Sequence, residues 1–510
     1  MVFLHTNQTT TRNTLLPEGM NNAPISAVLE TNLDHLKAAF GNTLDIRFDR
    51  MLVDGQSALL CFLDSMTNAQ EIDTIRQPLL TPAHTSQDFN DLEHFRMQLF
   101  PGFSHLIVTE LEKALSCLLE GYALLFFNQI DQALALSIVN LKSRSIEEPT
   151  TQTIIRGPKD SFTEDLHTNV SLVRRRIKHT ALRFESLQLG KDTKTSVVMA
   201  YMQNIANENI VAEMRHRLQR LEISALMDSS VLEESLSDNM YSPFPMFLNT
   251  ERPDTAAGGL IQGKIAVIVD GSPFAIIAPA VFNDFFRSQE DYYQSYLMSM
   301  FIRLIRFVSL FIAMLLPAFY LAITTYHQEL IPSLLLIMIV SQREVVPFPT
   351  VVEVLLMEFT FEIIREAGIR MPRAVGNAVS IVGTLVIGQA AVEAGIVSSV
   401  MVIIVSLTGI ASFVVPIYSM ALTLRLLRFM LILLSAVMGL YGIGFGLILI
   451  MIHLVKLNSL GIPYLSPIAP SSVRDIIGVW IRLPSPKMFQ RSLFLQTKSP
   501  LYKRNRNKRD

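Results

Sequence analysis

Apolar residues are spaced in two ways along this 510-residue chain. From 25 to 291 helical and strand patterns alternate, as they do in α/β chains. Residues 32–40, 91–98 and 209–222 carry apolar positions at helical spacing, whereas 57–63, 122–127 and 197–202 are apolar runs of strand length. Asp270-Gly271-Ser272-Pro273 separates two further apolar runs, 265–269 and 274–277, and predicts a hairpin. A turn-rich break at 143–162 splits this region. On either side of it the string LLEGYALL from Leu118 echoes LIQGKIAV from Leu260, each with a Gly where a turn opens onto a buried strand. The echo suggests two related α/β subdomains.

Beyond residue 300 the apolar runs lengthen. Residues 307–323 hold no charge, which is just enough helix to cross about 30 Å of hydrocarbon, and Pro317 inside them calls for a kink. Arg303 and Arg306 before this run mark its flank as cytoplasmic by the positive-inside rule. Residues 330–340 are apolar but too short to span and read as a re-entrant or partial segment. Residues 426–455 are one tilted helix or a tight hairpin, and their Gly442 and Gly446 permit close helix contact.

Between these runs, 351–370 is an amphipathic helix with Glu358, Glu362, Arg365 and Glu366 on its charged side. Its carboxylates do not belong in lipid tails, so it lies at the interface, packs on the soluble part or lines an aqueous vestibule. Asn377, Ser380 and Thr384 form one polar stripe among glycines, followed by Gln389 and Glu393. Such a stripe suits close helix packing or the lining of a narrow wetted conduit. Glu393 either emerges at the far surface or is an intramembrane charge.

Composition sharpens this division. Residues 307–454 carry 13 charges in 148, against 17% charged residues in the whole chain, and the mean hydropathy is +0.35. The fold class read from these patterns is an α/β soluble N-terminal region of two small subdomains followed by an all-α polytopic membrane domain. The boundaries are a disordered leader over 1–24, subdomains over 25–145 and 146–291, a membrane domain over 292–460 with about four crossings, and a basic cytoplasmic tail over 461–510. A net charge of −2 offers no field for nucleic acid. Cys61 and Cys117 are too few and too far apart for a disulfide framework or a cysteine zinc site and read as packed thiols. No catalytic motif and no metal-ligand spacing of histidines is present, so neither an enzyme nor a cofactor or metal site is expected. The run Arg174-Arg175-Arg176 is a solvated face, an inter-domain salt-bridge patch or an anion site.

Longer strings carry a resemblance. IQGKIAVIVDGSPFAIIAP (261–279), REVVPFPTVVEVLLMEFTFEIIREAGIRMP (343–372), VGTLVIGQAAVEAG (382–395) and GIPYLSPIAP (461–470) resemble the A subunit of GerA-type spore-germination receptors. Glu208 and Gln328 stand where that family usually has proline, which concerns local turns. The resemblance implies a germinant receptor of the spore inner membrane, with its soluble region and tail on the core side. Its implied partners are a transporter-like B subunit, a lipoprotein C subunit, membrane lipid and further copies of the chain. It also implies an oligomeric cation-release channel. For such a channel Asn377, Ser380, Thr384, Gln389 and Glu393 are the candidate lining, with Glu358, Glu362, Arg365 and Glu366 at a vestibule. A monomeric solute carrier and a structural scaffold are the alternatives.

Overall fold

The computed structural model describes residues 23–53, 55–67, 69–80, 92–138, 148–371, 388–470 and 491–499. The chain divides into two compact units, the first of residues 1–237, 249–279 and 485–510 and the second of 238–248 and 280–484.

The first unit contains the same fold twice. Repeat one runs α1 (Leu29–Phe40), β1 (Ile46–Val53), β2 (Gln56–Leu63), α2 (Ala69–Leu80), α3 (Leu92–Leu99), β3 (His105–Val108), α4 (Leu111–Glu120), β4 (Tyr122–Phe127) and β5 (Ala133–Ser137). Repeat two runs α5 (Leu166–Arg176), β6 (Leu182–Leu189), β7 (Thr195–Met202), α6 (Glu208–Arg220), α7 (Ser229–Leu236), β8 (Leu248–Thr250), α8 (Pro253–Gln262), β9 (Ile265–Val269) and β10 (Ala275–Ala278). The sheets have the same strand order, β1-β2-β4-β5-β3 and β6-β7-β9-β10-β8. Their registers match too: Cys61 faces Leu124 as Ala200 faces Ala266, and Leu125 faces Leu134 as Val267 faces Ile276. The echo at Leu118 and Leu260 marks equivalent places. There α4 and α8 end on Gly121 and Gly263 at φ 91° and 97°, a left-handed conformation only glycine adopts without strain, and the chain turns into the central strands β4 and β9. Those strands are apolar on both faces because helices cover the sheet. In repeat one, α1 and α4 close one face with Leu33, Leu36, Leu115 and Leu118, and α2 and α3 close the other with Ile75 and Phe95. Cys61 and Cys117 are free thiols in this core, and burial pushes the Cys61 thiol up.

One arginine joins the repeats. Asp165 caps α5 by accepting from Thr168 N (2.9 Å), and Arg174, in the last turn of α5, is wholly buried. Its fork donates to both oxygens of Asp45 (2.8 and 3.0 Å) and to the carbonyls of His179 and Leu182 (3.1 and 3.2 Å), over the ring of Phe184. Thr43 Oγ1 and Ser65 Oγ complete the shell of Asp45. Of the readings of the arginine run, the inter-domain ion pair holds for Arg174.

The second unit is helical: α9 (Tyr296–Tyr326), α10 (Ser333–Arg343), α11 (Thr350–Arg370), α12 (Ser399–Phe413) and α13 (Tyr418–Lys456). Among the described residues α9 and α13 are long and apolar enough to cross a membrane. Of the two sequence readings of 426–455, the hairpin holds. At Gly439 the backbone takes φ 59°, ψ −137°, and the arms 418–438 and 440–456 fold back on each other. Gly446 lies against Leu431, where an added Cβ would come within 2.5 Å of Leu431 Cδ2, so the spaced glycines do allow close contact. The arms also meet the same short segment at their open ends: Thr423 Oγ1 donates to Pro243 O and His453 Nε2 lies 2.9 Å from Ser242 Oγ. At the tip Tyr326 Oη donates to Ala436 O (2.5 Å), so α9 runs alongside. Arg303 and Arg306 are buried against the single carboxylate of Asp291 (3.0 and 2.8 Å). Both arginines thus serve as ion-pair partners of one buried carboxylate.

Two outcomes are expected from the first unit. Arg174→Met leaves Asp45 buried without its cation and lowers unfolding stability by about 3–5 kcal/mol. Adding Asp45→Asn recovers part of that loss in denaturant titrations of the full chain. The second concerns pH. Tyr201 donates to Glu185 (2.7 Å), and burial first, then this bond, pushes its phenol up to about 12. The fold therefore prefers the neutral phenol, a preference complete below pH 10 and lost as pH climbs towards 12. Tyr201→Phe removes that part of the alkaline loss of melting temperature.

Candidate functional site

The charged side of α11 faces the apolar hairpin. Glu358 is fully buried, and Arg428, at i+3 from Arg425 on the first arm of α13, is fully buried opposite it. Arg428 Nη2 lies 3.0 Å from Glu358 Oε2 and donates to Glu362 Oε1 (2.9 Å). Arg425 reaches Glu362 Oε2 at 3.5 Å, and Arg365, one turn along, pairs with Glu362 as well. An arginine within an apolar hairpin and a glutamate on a neighbouring helix are each costly alone and tolerable together. Five residues before Glu358, buried Glu353 accepts from Ser398 N (2.6 Å) and Ser398 Oγ. Ser398 is the N-cap of α12, so this carboxylate sits at the positive end of a helix dipole. Between α11 and α12, Gly409 lets the ring of Phe361 rest on helix backbone.

The network is not saturated. Neither oxygen of Glu358 accepts a hydrogen bond, because the Arg428 N–H groups point off line, and Arg428 Nε and Nη1 and Glu353 Oε2 have no protein partner. Buried polar atoms of this kind are ordinarily satisfied by ordered water, which this site has the chemistry to hold.

The other sequence-predicted residues fall elsewhere. Glu366 is exposed and pairs with Arg370 (2.7 Å). Gln389 and Glu393 are exposed on a short helical stretch, joined by Gln389 Nε2 donating to Glu393 Oε1 (2.9 Å). Asn377, Ser380 and Thr384 lie outside the described residues. Arg425 and Arg428 stand at the entrance of the apolar run 426–455, where sequence reasoning gave them no role, and it passed over Glu353. The available signal was the matched spacing, two arginines three apart in one helix and two glutamates four apart in another. No group of three or more His, Cys, Asp or Glu side chains capable of holding a metal occurs among the described residues.

The comparisons with known proteins are consistent along nearly the whole chain. Residues 34–494 match the family described as Bacillus/Clostridium GerA spore germination protein. The chain belongs to the GerA family. Spore germination protein KA of Bacillus subtilis (strain 168) is 42% identical over 463 residues, covering 90% of this chain and 85% of the relative. GerLA of Bacillus cereus is 44% identical over 384 residues, 75% of this chain and 78% of GerLA. A further relative, the membrane protein YfkQ of Bacillus subtilis (strain 168), is 40% identical over 469 residues, 92% and 91% of the two chains. Among solved structures, the N-terminal domain of the A subunit of the Bacillus megaterium germinant receptor GerK3 aligns with 51% of this chain and 98% of its own, at 31% identity and a TM-score of 0.42.

Charge compensation in this GerA-family chain has a measurable signature. Arg428→Met strands Glu358, while Glu362 keeps Arg365 and Arg425, and costs about 3–5 kcal/mol, seen as a lower melting temperature in detergent. Adding Glu358→Gln, which removes the stranded charge, restores a good part of it. Gly409→Leu displaces the Phe361 ring and costs about 1–3 kcal/mol, offset by Phe361→Ala.

Proposed function

We propose that this chain is the A subunit of a nutrient germinant receptor in the spore inner membrane and that several copies form a cation-release channel. The observation that carries the reading is family membership across 34–494. In the same reading a transporter-like B subunit and a lipoprotein C subunit are its partners, and lipid surrounds α9 and α13. Two features support the finer step. The helical unit compensates Glu353, Glu358 and Glu362 internally, as a bundle in hydrocarbon requires. Glu393 instead points outward with Gln389, a placement suited to a wetted lumen shared between copies. The stripe Asn377, Ser380 and Thr384 just before it supplies further lining.

The test is potassium or rubidium flux through the chain reconstituted in liposomes with its B and C subunits. Leucine at Ser380, Thr384 and Glu393 brings flux down towards that of empty liposomes while assembly in detergent is kept. Flux unchanged by all three replacements overturns the channel. Saturable uptake of a single solute by a monomer favours a carrier, and loss of assembly before any change of flux favours a scaffold.

A further inference from the structure

The duplicated fold assigns a role to the C-terminal segment. In repeat one, the 3-10 turn Asp64–Met66 follows β2, and Asp64 N donates to Asp45 O (2.8 Å). The equivalent of that turn in repeat two begins at Gln203 after β7, where Gln203 N donates to Ala181 O (2.9 Å). On repeat one this face is an interface: α5, the first helix of repeat two, packs against Asp64–Met66 and drives Arg174 onto Asp45. Among the described residues no third repeat covers the equivalent face of repeat two.

Residues 491–499 cover it instead. Lys498 N donates to Ile205 O (3.0 Å), and Lys498 Nζ reaches Gln203 O (3.2 Å) and Glu208 Oε1 (2.6 Å). Asn207 Nδ2 donates to Leu495 O (3.4 Å), and Leu495 is buried. Arg491 Nε donates to Ile261 O (2.8 Å), and Thr497 lies so close to Gly263 that an added Cβ there would come within 2.5 Å of its Cγ2. A short segment with one apolar anchor and two basic side chains thus satisfies the carbonyls and the carboxylate that a following repeat would otherwise meet.

We propose that this face, made by Gln203, Ile205, Asn207, Glu208 and Gly263, is an interaction surface for α1 of a second copy of this chain, held shut by residues 491–499. The occupant follows from the repeat. Helix α1 is the counterpart of α5, and among the described residues no other repeat receives it as repeat one receives α5. Asn32 and Asn169 make the same pair of bonds six residues back, to Ser26 and Thr163, which makes Lys37 the counterpart of Arg174; Lys37 is exposed, so it offers a cation to Glu208 when Lys498 leaves. A contact of this kind is head-to-tail, and such contacts propagate into rings or open chains rather than stopping at a dimer. The C-terminal segment is then a competitor within the molecule that sets when the soluble units join, whatever the helical unit conducts.

The experiment uses the full chain in detergent, compared by light-scattering mass at several concentrations with two variants, a truncation after residue 490 and Leu495→Asp. Both variants gain mass with concentration, at least doubling over the full chain. A synthetic peptide of residues 491–499 returns the truncated chain to the full-length mass. Lys37→Glu in the truncated chain blocks the gain while leaving the intact chain unchanged. Masses equal to the full chain at every concentration, with melting curves showing both variants folded, overturn the proposal. So does a gain in mass that Lys37→Glu leaves in place.

Discussion

The helical unit is organised by the need to neutralise two guanidiniums inside an apolar hairpin. Arg425 and Arg428 sit on the first arm of α13, where leucine, isoleucine and methionine otherwise dominate. Their counter-charges come from α11, and since Glu358 and Glu362 are four apart while the arginines are three apart, only one relative placement of the helices engages all four. The pairing therefore favours one register while keeping Arg428 within reach of both glutamates. The same reasoning explains the two ends of α11. Glu353 is held by the N-terminus of α12 rather than by a cation, and Glu366, past the hairpin, turns outward to Arg370. A helix that is charged on one side thus lies within a bundle that is apolar elsewhere, because each buried carboxylate meets a positive end of something.

The soluble unit solves a smaller version of this problem. Two copies of one α/β fold in tandem must present different surfaces to each other, the tail end of one and the head of the next. Arg174 and Asp45 form that join, and the pair is fully hydrogen-bonded where the Glu358–Arg428 pair is not. A partner for every side-chain nitrogen and carboxylate oxygen is the mark of a permanent seam. The unsaturated atoms at Glu358 and Arg428 leave room for water and for a change of partner.

Much of the fold was legible because it is written in local terms. The strand at 122–127, the helix at 209–222 and the hairpin at 265–277 follow from apolar spacing and from turn residues, and all three appear. The duplication was visible in eight residues because a left-handed glycine before a buried strand is demanded twice. The site was less legible, since its chemistry depends on which helix faces which. The sequence places Glu358 and Arg428 seventy residues apart and offers no local signal for their meeting. Periodicity alone gave α11 an interface, a soluble partner or a vestibule to face, and omitted the fourth arrangement, an arginine pair on a later apolar element, α13. The reversal at Gly439 was open for a related reason. Helical spacing continues on both sides of it, and one residue with positive φ is invisible to a pattern that averages over turns.

Gly439 also limits what the long apolar run can do. With the arms folded back, Arg428 on the first arm is carried at a fixed depth beside α9 and opposite α11, and any axial slide of the hairpin moves it past Glu358 and Glu362 together. Arg428 could exchange one glutamate for the other without ever being left alone, since its Nη2 already lies about equally far from both, 3.0 Å from Glu358 and 2.9 Å from Glu362. A charged contact with two near-equivalent partners one helical turn apart has the geometry of a ratchet position rather than of a rivet. The compensation that keeps the arginines in the bundle is therefore also the element of this unit best suited to having two states.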